Sequence, residues 1–224
     1  MTVLVVAAHP DDEALGCGGT IRRLTAAGQK VHLLFVCDGV RSRSSSGVDE
    51  ELRLRQTAAR DAADILGAQQ PRFLAFPDNS LDSVPLLDVV QAIESVVGEI
   101  KPETVYTHHA GDLNIDHALV TRAVLTACRP LPGSFVRQIY SFEVLSSTEW
   151  SGPAPHAAFA ANRFVDITAT LDAKLQALYA YRGEMRPFPH PRSREAVTAL
   201  ARLRGATAGL AAAEAFMVLR QIEA

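Results

Sequence analysis

Near its start the chain carries His9, Asp11, Asp12 and Glu13, and a second ionisable crowd follows much later: His108, His109, Asp112, Asn114, Asp116 and His117. Three carboxylates beside an imidazole repel one another and resist desolvation, so a fold tolerates them chiefly where a cation or solvent neutralises them. Capping a helix that opens near Ala14 would need one aspartate, with Pro10 stiffening the turn. The surplus points to a divalent metal. Two histidines and a carboxylate, taken from His9, His117 and the adjacent pair Asp11 and Asp12, suit zinc with one position open, the pattern of a hydrolytic site. A structural zinc would recruit cysteines, whereas Cys17, Cys37 and Cys128 are scattered singly.

The elements that must position these groups are legible as hydrophobic runs. The apolar stretch from Val3 reads as a buried parallel strand, and the carboxyl ends of such strands are where open α/β sheets place ligands. A helix is expected from Ala14 to Ala27 with Gly28 as its stop, then a strand over Val31–Val36 ending at Asp38. A helix follows over Glu50–Leu66, a strand over Phe73–Phe76 leading to Asp78, a helix over Pro85–Ile100, and a strand over Thr104–Thr107. From Ile115 helical periodicity resumes, which puts His117 in a first turn facing back toward the strand ends. The order βαβαβαβ with short joins predicts an α/β fold built on a parallel, doubly wound sheet.

Beyond that point the chain is more punctuated. Strands are expected over Arg137–Val144 and Arg163–Ile167, separated by a Pro- and Ser-rich loop, Ser146–Pro155. Helices are expected over Leu171–Tyr181 and Ala196–Leu203, and Ala215–Ile222 reads equally as strand or helix. The polar stretch Arg41–Gly47, RSRSSSG, is either a lid or a merely solvated loop.

The 224 residues suffice for one sizeable core, so a single domain over 1–224 is the expectation. A net charge of −3 gives no bulk attraction to nucleic acid or to an anionic membrane. Unpaired cysteines, with no leader pattern and no apolar run long enough to span a bilayer, predict a cytoplasmic protein.

The ordered set AHPDDE, GCGGTI, DG, FPD and DLNIDH, spread over Val3 to His117, resembles the zinc-dependent de-N-acetylases of the LmbE and PIG-L type, with a looser likeness through YRGEMRPFPHPRS and AEAF. The resemblance implies a Rossmann-like three-layer fold with a mostly parallel sheet, and removal of acetyl groups from N-acetylglucosamine-containing small molecules. It implies His9, Asp12 and His117 as ligands of Zn2+ and Asp11 as general base. It also implies substrate contacts for Arg55, with Arg53 close enough to exchange roles, and for Asp78. Many members place a histidine three positions before the last ligand, where this chain has Asn114. Oxyanion stabilisation then falls to Asn114 or to a late-loop residue, His190; since some members supply such a histidine from a neighbouring subunit, a homo-oligomer is compatible with the reading. Two other functions fit less well: hydrolysis of another acylated small molecule, such as a thiol-conjugate intermediate or an antibiotic sugar, and nucleotide binding without hydrolysis. The second is disfavoured because the glycines follow the acids instead of forming a phosphate loop directly after the strand.

Overall fold

The computed structural model describes residues 1–41, 47–152 and 158–223. Most of the Arg41–Gly47 loop and the end of the Ser146–Pro155 loop lie outside the described residues. Alternation along the first strand, β1 (Thr2–Ala7), sets the layering. Val3, Val5 and Ala7 belong to one apolar cluster, and Leu4, Val6 and Ala8 to the other. A strand buried on both faces needs helices on both faces. The first cluster is closed by α1 (Asp12–Ala26), α2 (Val48–Leu66) and α5 (Leu171–Ala180), the second by α3 (Leu86–Ile100) and α4 (Ile115–Ala127).

The sheet has seven strands in the order β3-β2-β1-β4-β5-β7-β6, with β2 (Lys30–Cys37), β3 (Arg72–Phe76), β4 (Thr104–His108) and β5 (Gln138–Phe142) all parallel to β1. The last strand in the chain, β7 (Ala213–Gln221), inserts antiparallel between β5 and β6 (Arg163–Asp166), with α6 (Arg194–Thr207) preceding it. The ambiguous C-terminal run is therefore a strand, fixed by pairing on both sides. The sheet is mostly parallel and the α/β expectation holds. Strand order reverses between β1 and β4, and a crevice for ligands forms at such a switch point. Both ionisable crowds begin there, after β1 and after β4.

Helix α1 contains a break at Cys17, whose φ of −145° is not helical. Its second half thus has an N-terminus of its own, with exposed peptide donors that require partners. Glu214 of β7 supplies them, accepting from Gly19 N–H at 2.9 Å and Thr20 N–H at 2.7 Å. Lys174 of α5 balances that carboxylate at 2.6 Å and donates to Leu15 O at 2.7 Å, all in the interior. The absence of a side chain at Gly16 and Gly19 is required by packing, because a Cβ there would overlap Phe142 and Ile167.

Removing one partner of a buried pair leaves the other uncompensated, at a cost of about 3–5 kcal/mol. Glu214→Ala should lower unfolding stability on that scale in a denaturant titration. A loss within about 0.5 kcal/mol, the usual scale of a surface change, would show that water replaces the cap at little cost.

Candidate metal centre and active site

The turn after β1 distributes its three acids to three different partners. Asp12 faces the imidazoles: its Oδ2 accepts His9 N–H at 2.8 Å and lies 3.3 Å from both His9 Nδ1 and His117 Nε2. Asp11 sits on the turn at a φ of 125°, a region costly for any residue with a side chain and commonly occupied at functional sites. It makes no side-chain cap bond and instead meets Arg192 at 2.8 Å, with Arg55 at 3.7 Å. Glu13 turns into the core, hydrogen-bonded to Tyr181 Oη at 2.7 Å and accepting Asp11 N–H at 3.1 Å. Burial pushes its carboxyl up to about 8, so it is largely neutral at pH 7.

His9, Asp12 and His117 each offer a ligand atom within 4.8 Å of the others. All three are buried, and Asp12 Oδ1 and His117 Nε2 have no hydrogen-bond partner. Orphaned polar atoms of this kind cost about 1–3 kcal/mol each, and a shared cation satisfies them together once His117 gives up its proton, so the donor set fits a metal ion. Burial works to raise Asp12, yet the imidazoles around it, His117 foremost, hold it well below the usual carboxylate range. His9 and His117 move the other way. Burial opposes their charge, but Asp116, Asp12 and Asp78 raise His9 well above its ordinary value, and Asp12 and Asp112 raise His117 to about 9. Without a metal the imidazoles hold the positive charge that the carboxylates demand.

Each histidine of the set is braced from behind. His9 Nε2 bonds Asp116 at 2.9 Å and lies 3.1 Å from Asp78, while Asp116 also accepts the Asn79 and Leu81 N–H groups. His117 Nδ1 lies 3.2 Å from Asp112, which the Ser147 and Thr148 hydroxyls hold in turn. His108 stacks on His117 with ring centroids 3.9 Å apart and accepts Ala8 N–H, so it is neutral and supplies packing instead of charge. A second grouping, His9, Cys37 and Asp116, shares His9. Burial pushes the Cys37 thiol up to about 12 and Asp116 already accepts two peptide N–H groups, which leaves that grouping without a ready thiolate.

The remaining expected residues are distributed around this centre. Asp78 lies against His9. Arg55 is turned inward, donating to Pro10 O and Gly39 O and pairing with Glu184 at 2.5 Å, whereas Arg53 pairs with Glu50 on the solvent face. Asn114 caps α4, its oxygen accepting Asp116 N–H and its nitrogen donating to Asn79. His190 lies on the turn that delivers Arg192 to Asp11. Its Nδ1 accepts Arg192 N–H at 3.0 Å, so the neutral ring carries its proton on Nε2. Asp38 serves its own turn, accepting Val40 N–H.

Residues 4–128 match the family described as PIG-L, GlcNAc-PI de-N-acetylase. The chain belongs to this family. It is 32% identical over 150 residues to the uncharacterized deacetylase YaiS of Escherichia coli (strain K12), covering 65% of this chain and 75% of that one. It is 29% identical over 193 residues to the probable N-acetyl-alpha-D-glucosaminyl L-malate deacetylase 2 of Bacillus cereus, covering 81% and 83%. The solved structure of the conserved protein TT1542 from Thermus thermophilus matches 99% of this chain and 96% of its own with a TM-score of 0.76 and 29% identity. Membership of the PIG-L family makes the chain an amide hydrolase of the deacetylase type. No helix among the described residues is long and apolar enough to cross a membrane.

Four groups of the site were invisible to the spacing argument: Arg192, Glu184, Tyr181 and the hydroxyl pair Ser147 and Thr148. Only the likeness of YRGEMRPFPHPRS to the family pointed toward the first three.

A metal ion takes the neutral imidazole, so the proton on His117 must leave before the ion can bind. Affinity of the metal-free protein for zinc should therefore rise between about pH 6, below the ordinary imidazole value, and about pH 9, where His117 titrates. Calorimetric titration across that range is the check. Affinity independent of pH, or His117→Ala retaining a full equivalent of metal, would remove His117 from the ligand set.

Proposed function

We propose that this chain is a zinc-dependent hydrolase that removes the N-acetyl group from a small N-acetylglucosamine-containing conjugate. The observation that carries the proposal is the cluster His9, Asp12 and His117, with Asp12 Oδ1 and His117 Nε2 unpartnered, beside a separate carboxylate, Asp11, held by its own cation. Two imidazoles and a carboxylate, with no ready thiolate, favour zinc in an open catalytic site. When bound there, the ion supplies Lewis-acid polarisation of the acetamide and lowers the pKa of water toward about 7.

Asp11 is the proton carrier in this reading. Burial raises its carboxyl, and Arg192 and Arg55 restrain the rise. It takes the proton from the attacking water and returns it to the nitrogen as the C–N bond breaks, giving acetate and a free amine. Arg192 and Glu184 keep the carboxylate aimed, since Glu184 joins both arginines, at 2.5 Å to Arg55 and 3.3 Å to Arg192. Asp78 accepts a sugar hydroxyl beside His9. Arg55 braces the turn, and a direct contact with substrate requires Glu184 to release it. His190 offers its Nε2–H to the developing oxyanion, while one of the two Asn114 amide hydrogens is already given to Asn79. Three buried, unpaired cysteines support a cytoplasmic setting.

Acetate release from a panel of N-acetylglucosamine conjugates, with and without chelator, tests the activity, and release that ignores the chelator would refute the metal. Asp11→Asn keeps shape but cannot accept a proton. It should lower turnover by roughly 100-fold or more with zinc still bound, and turnover near the parent level would refute the assignment.

The oxyanion role is tested separately. Losing one such donor costs about 3 kcal/mol in the transition state. His190→Ala should thus depress turnover far more than substrate affinity and more than Asn114→Ala does. The reverse order would give the oxyanion to Asn114.

A further inference from the structure

The chain has a single tryptophan, and it is half exposed: Trp150, at 49%. It ends a short 3-10 turn, Thr148–Trp150, that is tied to both halves of the centre. Ser147 and Thr148 donate to Asp112, which braces His117. Ser146, at the start of the same turn, accepts from Arg192 Nε at 2.7 Å, and Arg192 holds Asp11. The turn is stiffened by Glu149, which accepts the Ser146 and Ser147 N–H groups, and by Val144 N–H donating to Thr148 Oγ1. The Trp150 ring meets His190 edge to face, with centroids 6.2 Å apart. A large apolar side chain is left in water on a rigid turn beside the groups that do the chemistry.

We propose that Trp150 is a stacking platform for carbohydrate, holding the apolar C–H face of the ring attached to the reacting amino sugar. An indole offers a flat, polarisable face with little flexibility to lose on binding, which suits a pyranose ring. A protein partner is a poor fit. A stable interface buries about 800 Å² on each side, and among the described residues the large apolar side chains exposed on this turn and on the His190 turn are Trp150 and Phe188. The occupant is thus the outer part of the small substrate, and Trp150 sets preference among conjugates instead of the rate of bond cleavage. The inference rests on the deacetylase reading above and adds the substrate's second ring to it.

Because Trp150 is the chain's only tryptophan, its emission reports this position alone. Adding a β-linked disaccharide of N-acetylglucosamine to the zinc-loaded Asp11→Asn protein should shift or quench that emission, and the monosaccharide should do so less. In the parent enzyme, Trp150→Ala should raise KM for the disaccharide about 3- to 10-fold, the scale of one aromatic contact. The monosaccharide KM should rise by a smaller factor and kcat should move less than KM, with Trp150→Phe recovering most of the loss. Silent emission at saturating disaccharide, or an equal KM change for both sugars, would overturn the platform while leaving the deacetylase reading intact. If the parent releases no acetate from any amino-sugar conjugate, the reading itself fails and the platform with it.

Discussion

A buried carboxylate with one oxygen left unbonded is the constraint around which this fold is arranged. Asp12 is fully inside, anchored by its own turn through His9 N–H, and surrounded by imidazoles that gain charge from it. Such a group is expensive in a low-dielectric interior unless its partners are fixed in place. The surrounding structure reads as a set of devices for fixing them: Asp116 behind His9, Asp112 behind His117, and the stacked neutral ring of His108. Two of those supports are carboxylates, so the positive charge on the imidazoles is shared between Asp12 and a bracing carboxylate.

The same logic separates the two adjacent aspartates. One backbone step turns Asp12 toward the imidazoles and Asp11 toward the arginines, and the positive φ at Asp11 is what permits the divergence. Glu13 goes to neither and settles as a largely neutral acid against Tyr181. The repulsion expected among the three acids is therefore relieved by geometry. A charge count argues that something must neutralise the cluster, but only the fold shows that two of the three are handled by the protein itself.

How much of this was legible follows from distance along the chain. The β1 and β4 runs and the ionisable residues at their ends are local patterns, so the α/β order, the strand-end location and the grouping of His9, Asp12 and His117 could be read directly or through resemblance, whereas the reversal of strand order between β1 and β4 shows only in the sheet. Arg192 contacts Asp11 across 181 positions from a turn with no periodicity, and nothing local marks it. The turn carries a histidine whose type suggests chemistry, while its arginine is the residue that meets the acid, at 2.8 Å. The C-terminal run was ambiguous for a different reason, because a short apolar stretch reads as either element until its neighbours are known. The break in α1 likewise hides in GCGGT, where the glycines announce tight packing but not the carboxylate from β7 that makes the break tolerable.

That carboxylate ties the first motif made to nearly the last. Glu214 lies 195 residues after Gly19, so at about 5–20 residues per second the ribosome needs roughly 10–40 s to deliver it. Through that interval the second half of α1 has no lid on its amide donors, and Arg192 is also missing for most of it. The nascent chain thus displays His9, Asp12 and His117 well before Arg192 and Glu214 have been made. A chain stalled short of β7 would lack the cap on the second half of α1 and would leave β6, whose ladder runs along β7, with no place in the sheet.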